Sequence, residues 1–239
     1  MTANQTTHCI SLPVAAWRAA RIALLLMAYA TVTSGSATAQ NAADSALIAA
    51  AERGDAASVE RLLKQGASAK ARDGTGRTAL LAATQHKRIE AARLLIAAGA
   101  DVNAQDNISD SPYLLAGARG HVEILRLTLA AAADLKSVNR YGGTALTPAC
   151  HYGHVEVVRE LLNTRVALDH VNKLGWTCLL EAVILGDGGA RHTEIVRLAV
   201  AAGANVNLAD RDGVSPLRHA RTRGQNAIAQ LLEAAGAKP

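Results

Sequence analysis

The chain has 239 residues, three cysteines, six aromatic residues and no phenylalanine. Half of it is apolar, and Ala, Leu, Val and Ile carry that half, which excludes a disordered chain and favours many small packed helices over a sheet core. Three cysteines cannot build a disulfide framework, and a mild surplus of 25 basic over 20 acidic residues, spread along the chain, is not a nucleic-acid footprint.

Residues 1–39 carry no Asp or Glu. Arg18 and Arg21 precede the apolar run Ile22–Ala30, which gives way to small residues and ends at Ala37-Thr38-Ala39. A basic start, a short apolar stretch and a small-x-small end describe a secretory signal peptide, with cleavage expected after Ala39. The stretch is too short to span a bilayer comfortably. Removal of the segment takes the charge from +5 to +3 and leaves Cys150 and Cys178 as the cysteines. The destination expected is periplasmic or secreted, with no membrane association after cleavage. Residues 40–44 read as a short linker.

From residue 45 the sequence repeats itself. Ser45-Ala46-Leu47, Thr78-Ala79-Leu80, Ser111-Pro112-Tyr113, Thr144-Ala145-Leu146 and Thr177-Cys178-Leu179 follow one another at 33 residues, and Ser215-Pro216-Leu217 comes after 38. Each Ser or Thr reads as a helix N-cap, its oxygen accepting from free backbone N–H groups. A helix of about two turns follows and ends at Gly54, Gly120, Gly153, Gly186 or Gly224, with Lys87 there in the second unit. A second helix shows apolar residues at helical spacing, for example Val155, Val158, Leu161 and Leu162. It ends at Gly66, Gly99, Gly203 or Gly236, whereas units three and four have Ala132 and Arg165, where looser turns are expected. One such helix pair cannot bury its own apolar face; a stack can. The extra residues 187–191 account for the longer step. Insertions of this kind often lie on the binding side of an array.

The stretches Gly99-Ala100-Asp101-Val102-Asn103-Ala104, Gly203-Ala204-Asn205-Val206-Asn207, Asp212-Gly213-Val214-Ser215-Pro216-Leu217 and Gly153-His154-Val155-Glu156-Val157-Val158, at this period, resemble the ankyrin repeat. Asn139-Arg140-Tyr141-Gly142-Gly143-Thr144 and Gly175-Trp176-Thr177-Cys178 look like a bacterial branch of that family. The resemblance covers residues 43–239 and implies an all-α solenoid of six helix-turn-helix repeats over residues 45–239, with short turns or hairpins between them. It also implies that His121, His154 and His192, which share one place in the repeat, are structural. By the same resemblance, partners bind at the turn tips and along the open side of the first helices. Carried over position by position, the partner-binding residues are Arg119, Arg140, Tyr141, His151, Tyr152, Lys173, Leu174, Trp176, Ile184, Leu185 and Arg223. Tyr141, Tyr152 and Trp176 are three of the four aromatics beyond residue 39. Aromatics beside arginines make the usual hot-spot composition, and the arginines favour a partner with acidic features.

Chemical motifs are sparse. Cys150, His151 and His154 lie close in sequence, but nothing has the spacing of a zinc or metalloenzyme site. Cys150 aligns with Gly117 and Val183, so it should face the core as a small apolar group. Cys150 and Cys178 stand at opposite ends of neighbouring first helices. With axes about 10 Å apart and an axial offset besides, they exceed the ~7 Å that a disulfide spans, so two buried free thiols are expected. The fourth residue after each start is Ala82, Leu115, Pro148, Glu181 and His219; it points into the stack. Glu181 and His219 come from adjacent repeats and read as an internal pair, since a buried carboxylate needs a partner.

The sequence thus reads as an exported, monomeric, non-enzymatic module that binds a protein through repeats three to five, without cofactor, metal or nucleic acid. The alternatives are a hydrolase or metal protein using Glu181 and His219, or Cys150, His151 and His154; a secreted effector acting on a host protein; and a structural tether.

Overall fold

A computed structural model describes residues 39–239, so the expected signal peptide, apart from Ala39, lies outside the described residues. The chain divides into Met1–Ala43 and Asp44–Pro239, and the second unit holds the repeats. Twelve helices stand among the described residues: α1 over residues 39–53, α2 (Ala56–Lys64), α3 (Ala79–Gln85), α4 (Ile89–Ala97), α5 (Pro112–Arg119), α6 (Val122–Ala130), α7 (Leu146–His151), α8 (Val155–Leu162), α9 (Cys178–Ile184), α10 (Ala190–Ala201), α11 (Pro216–Thr222) and α12 (Asn226–Ala234). They pair into six repeats. From α3 on, odd-numbered helices pack on one another to form an inner layer, and the even-numbered helices from α2 on form an outer layer. The only β pairing among the described residues is an isolated bridge between Arg72 and Thr78. The fold is the expected all-α solenoid.

Caps and buried rows explain the helices. Thr78, Ser111, Thr177 and Ser215 each accept a hydrogen bond from the backbone N–H three residues on, at 3.2 Å. Leu80, Leu81, Leu146, Leu179 and Leu180 are almost fully buried between the layers. Each contributes roughly 2 kcal/mol that a lone helix pair would forgo. On α8 the buried residues are Val157, Val158 and Leu161, with Val155 and Leu162 half-buried, so the apolar face is rotated slightly from the one that the sequence spacing predicts.

Two expected caps fail. Ser45 lies inside α1, and residues 40–44, expected as a linker, are helical too. Thr144 leaves its hydroxyl buried and unpartnered, and α7 begins late, after Ala145. The cause is Pro148. In the neighbouring repeats the N–H at that place donates to the carbonyl of the capping residue, as from Leu115 to Ser111 and from Glu181 to Thr177. Proline has no N–H, so the first bond of the helix is lost.

The turn residues follow their φ angles. Ala132 takes φ 60, a left-handed conformation that costs a residue with a Cβ about 1 kcal/mol. Arg165 does not; there Thr164 closes the turn by donating its hydroxyl to Leu161 O at 2.6 Å. In repeat five the left-handed position moves from Gly186 to Gly188, at φ 70. The insertion 187–191 extends α10 and is held by its own bonds, with Asp187 Oδ1 2.7 Å from His192 Nδ1 and accepting from Gly189 N–H at 2.9 Å.

A ladder of side chains locks each repeat to the one before. His154 Nε2 donates to Ala118 O at 3.2 Å, and His192 Nε2 donates to His151 O at 2.8 Å. Arg88 reaches Glu52 O at 3.1 Å and Gln225 reaches Val183 O at 3.0 Å from the equivalent places. His121 and His154 have depressed pKa values because burial disfavours the imidazolium. These histidines are structural.

The expectation of free thiols is overturned. Cys150 and Cys178 form a disulfide with Cα atoms 5.4 Å apart. One repeat earlier, the equivalent pair is Gly117 and Ala145. A Cβ on Gly117 would sit 2.8 Å from the Ala145 Cβ. Successive inner helices are therefore displaced along their axes, which brings the end of one against the start of the next. The separation expected from helix ends held apart by a full axis spacing was too long.

Candidate functional site

The tips are built alike. Asp73, Asp106, Asn139, Asn172 and Asp210 each turn a side-chain oxygen onto the backbone N–H groups two and four residues on; Asn172 Oδ1, for example, accepts from Leu174 at 2.9 Å and from Trp176 at 3.0 Å. This Asx turn fixes each tip. Adjacent tips are then tied together: Lys173 N–H donates to Tyr141 O at 2.9 Å, Lys173 Nζ to Arg140 O at 3.0 Å and His170 Nε2 to Gly142 O at 2.7 Å.

Between the tips and the inner helices of repeats three to five runs a groove of about 760 Å³. Leu115, Pro148 and Glu181, one from each repeat at the same register, lie along its floor. Asp110, Asn139, Arg140, Tyr141 and Leu174 form the tip wall. Arg119, His151, Tyr152 and Leu185 come from the ends of the inner helices. Tyr141, Tyr152, Leu174 and Leu185 are large apolar side chains left exposed there. Arg140 pairs with Asp110 at 3.3 Å and lies 5.1 Å from the Tyr141 ring centroid. The rings of His151 and Tyr152 stack at 4.1 Å. Burial lowers the His151 pKa, as does the neighbouring His192.

Seven of the expected partner-binding residues meet in this groove: Arg119, Arg140, Tyr141, His151, Tyr152, Leu174 and Leu185. Lys173 stands on the same tips and is exposed, but its ammonium is turned to Arg140 O. Trp176 is half-buried at the foot of its tip, where its backbone closes the Asx turn. Ile184 is half-buried at the end of α9, and Arg223 is exposed on repeat six; neither lines the groove. The insertion also stays out of it. Sequence reasoning missed Leu115, Pro148 and Glu181 as a floor, although their shared register, 33 residues apart, marked them.

Glu181 and His219 do not pair with each other. Each bonds the tip residue nine positions earlier in its own repeat. Asn172 Nδ2 donates to Glu181 Oε1 at 2.7 Å, and His219 Nε2 lies 2.7 Å from Asp210 Oδ2. The Asx side chain has one atom to spare after closing its turn, and that atom points inward. Glu181 is 7 % exposed, and burial pushes its carboxyl up to about 7, with the Asn172 bond pulling only partly against this. His151 and His154 lie next to Cys150 in sequence, but that cysteine is spent in the disulfide. Among the described residues no group of three His, Cys, Asp or Glu side chains is placed to hold a metal ion.

Comparison with known proteins agrees with this architecture. A family model described as ankyrin repeats in three copies matches residues 14–106 and 113–191, and a single ankyrin-repeat model matches residues 174–211. A putative ankyrin repeat protein, YahD, from Escherichia coli (strain K12) is 52% identical over 58 residues, which is 24% of this chain and 29% of that protein. A crystal structure of an ankyrin repeat domain from Acinetobacter baumannii AYE superposes with a TM-score of 0.78 at 58% identity, covering 80% of this chain and 98% of the other. The ankyrin repeat protein EF0377 gives 0.77 at 39% identity, covering 80% and 97%. The ankyrin repeat domain of Bcl-3, a member of the IkappaB family, gives 0.72 at 30% identity, covering 81% and 86%. With a staggered inner layer, Asx-closed tips and family models matching most of its length, this chain belongs to the ankyrin-repeat family.

Proposed function

We propose that this protein is an exported binding module whose protein partner docks in the groove of repeats three to five. Ankyrin repeats are in general non-enzymatic protein-interaction modules. The observation that carries the choice of surface is the groove itself, where four exposed apolar side chains stand beside Arg119 and Arg140. Exposed aromatics over a formed concavity are the composition of an interaction hot spot.

Two features support export. The first 39 residues have the order of charges, apolar residues and small residues of a cleavable signal. The Cys150–Cys178 disulfide suits an oxidising compartment. No helix among the described residues is long and apolar enough to cross a membrane.

The test is capture from a periplasmic extract by the mature chain, beside a variant with Tyr141, Tyr152 and Leu174 changed to Ala. All three residues are largely exposed, so the variant should fold, as its circular dichroism will report. A protein held by the wild type and lost by the folded variant is the expected outcome. Equal retention by both baits would move the binding surface elsewhere. Fractionation, with the N-terminus of the recovered chain read by mass spectrometry, tests export: Gln40 at the start supports it, and an intact Met1 in the cytoplasm overturns it.

A further inference from the structure

The groove floor is apolar along two repeats and acidic in the third. Ala82, Leu115 and Pro148 fill the register position in repeats two to four, and His219 fills it in repeat six, satisfied by Asp210. Glu181 alone brings a carboxyl to the floor of the groove, and its side chain is almost wholly buried there. It accepts one hydrogen bond, from a neutral amide, and among the described residues no cation lies within ion-pair distance of it. Glu181 Oε2 is neither bonded nor sealed from solvent, so it faces the groove. A buried carboxyl with no counter-ion is held partly protonated, and a cation brought against it would hold it ionised.

The opposite end of the groove carries the opposite charge. Arg119, at the end of α5, is exposed and makes no direct ion pair among the described residues, although its charge reaches Asp110 through space. Arg140 between them is already neutralised by Asp110. The groove is therefore polarised, basic over repeat three and acidic at the floor of repeat five. Inner helices about 8–10 Å apart put the two ends some 16–20 Å from each other. An extended chain covers that span in about five or six residues.

Resting on the groove reading above, we propose that the partner inserts a lysine or arginine side chain against Glu181 and presents an acidic residue, about five or six positions away, to Arg119. The aliphatic stem of the basic residue lies over Pro148 and between Tyr152, Leu174 and Leu185, and its charged end reaches the carboxylate. The partner segment runs extended along the groove in one direction, fixed by the two charges.

A displayed library of random dodecapeptides, selected on the oxidised mature chain, is the probe. The expected result is enrichment of peptides sharing one basic position with an acidic position five or six residues distant. Selection on Glu181→Gln, which keeps the Asn172 bond, should lose the basic position and keep the rest. Replacing the basic residue of an enriched peptide by norleucine should weaken wild-type binding at least tenfold and leave binding to E181Q within about threefold. Enrichment of groove-binding peptides without a basic position, or an equal norleucine penalty on both proteins, overturns this inference and leaves the groove standing. No peptide competing at Tyr141 and Tyr152 overturns the groove reading and this inference together.

Discussion

Changing Glu181 to Gln removes the one carboxyl on the groove floor and keeps its hydrogen bond, because the Gln oxygen still accepts from Asn172 Nδ2. The wild-type carboxyl has its pKa raised from 4.5 to about 7 by burial. A raised folded pKa contributes stability that is complete below the unfolded value and lost as pH rises to the folded one. Each pH unit crossed between the two values removes about 1.4 kcal/mol, so the full loss is on the order of 3–4 kcal/mol. Between pH 5 and 8, where part of the change at the acid end is already past, about 2–3 kcal/mol remains. The variant lacks this titration, so its stability relative to wild type should rise by that amount between the two pH values. His121 and His154, whose depressed pKa values make stability fall as pH drops below about 6.5, act in the opposite direction, but they are common to both proteins and cancel in the difference. Urea unfolding of both oxidised proteins at pH 5 and pH 8 provides the measurement. A stability difference that stays constant within about 0.5 kcal/mol, on the order of experimental error, would show the carboxyl to be solvated, with its pKa unshifted. A variant much less stable at pH 8 would show that Glu181 is already paired with a cation.

The disulfide closes a sequence separation of 28 residues. The chain-entropy relation puts its removal at about 3.5 kcal/mol, to be read from unfolding of the reduced and oxidised mature chain, and thiol titration of the denatured mature protein should find no free thiol. Ala132 sits at φ 60, so Ala132→Gly should raise the unfolding free energy by up to about 1 kcal/mol, the left-handed strain less the added freedom of the unfolded chain. Gly117→Ala should lower it by about 1–3 kcal/mol in the same assay, because the new methyl would meet Ala145 Cβ and O, both at 2.8 Å. Pro148→Ala should restore the first bond of α7 and stabilise by about 1 kcal/mol, with Thr144 regaining its cap; no gain would mean that α7 starts late for another cause.

Much of the architecture is legible in the sequence because a repeat states its own rules several times. The 33-residue step, the capping Ser and Thr, and the histidines that bond the preceding repeat all recur, so each reading has independent copies. Relations between repeats, and exceptions within one, are harder to read. The disulfide escapes sequence reasoning because the stagger of neighbouring helices is not written in either helix; the small pair Gly117 and Ala145, in the same register as Cys150 and Cys178, is the available signal. By position Glu181 calls for a partner in the next repeat, whereas its partner is the Asx residue of its own tip, at the same nine-residue spacing as Asp210 and His219. Thr144 looks like the other caps, but Pro148 removes the bond that such a cap begins. Trp176 and Ile184 fall on the open face by position, and only packing shows that both are half-buried off the groove.

The concave groove, not the outer layer, is the surface proposed to meet the partner. Photo-crosslinking in the native cell compartment tests this most directly. A photoreactive amino acid would replace Tyr141 or Leu174 on the groove wall in two proteins and Arg93 on the outer helix α4 in a third; all three positions are exposed, so none disturbs the core. One discrete adduct from the two groove positions and none from position 93 is the expected result. An adduct from position 93 with none from the groove would contradict the proposal.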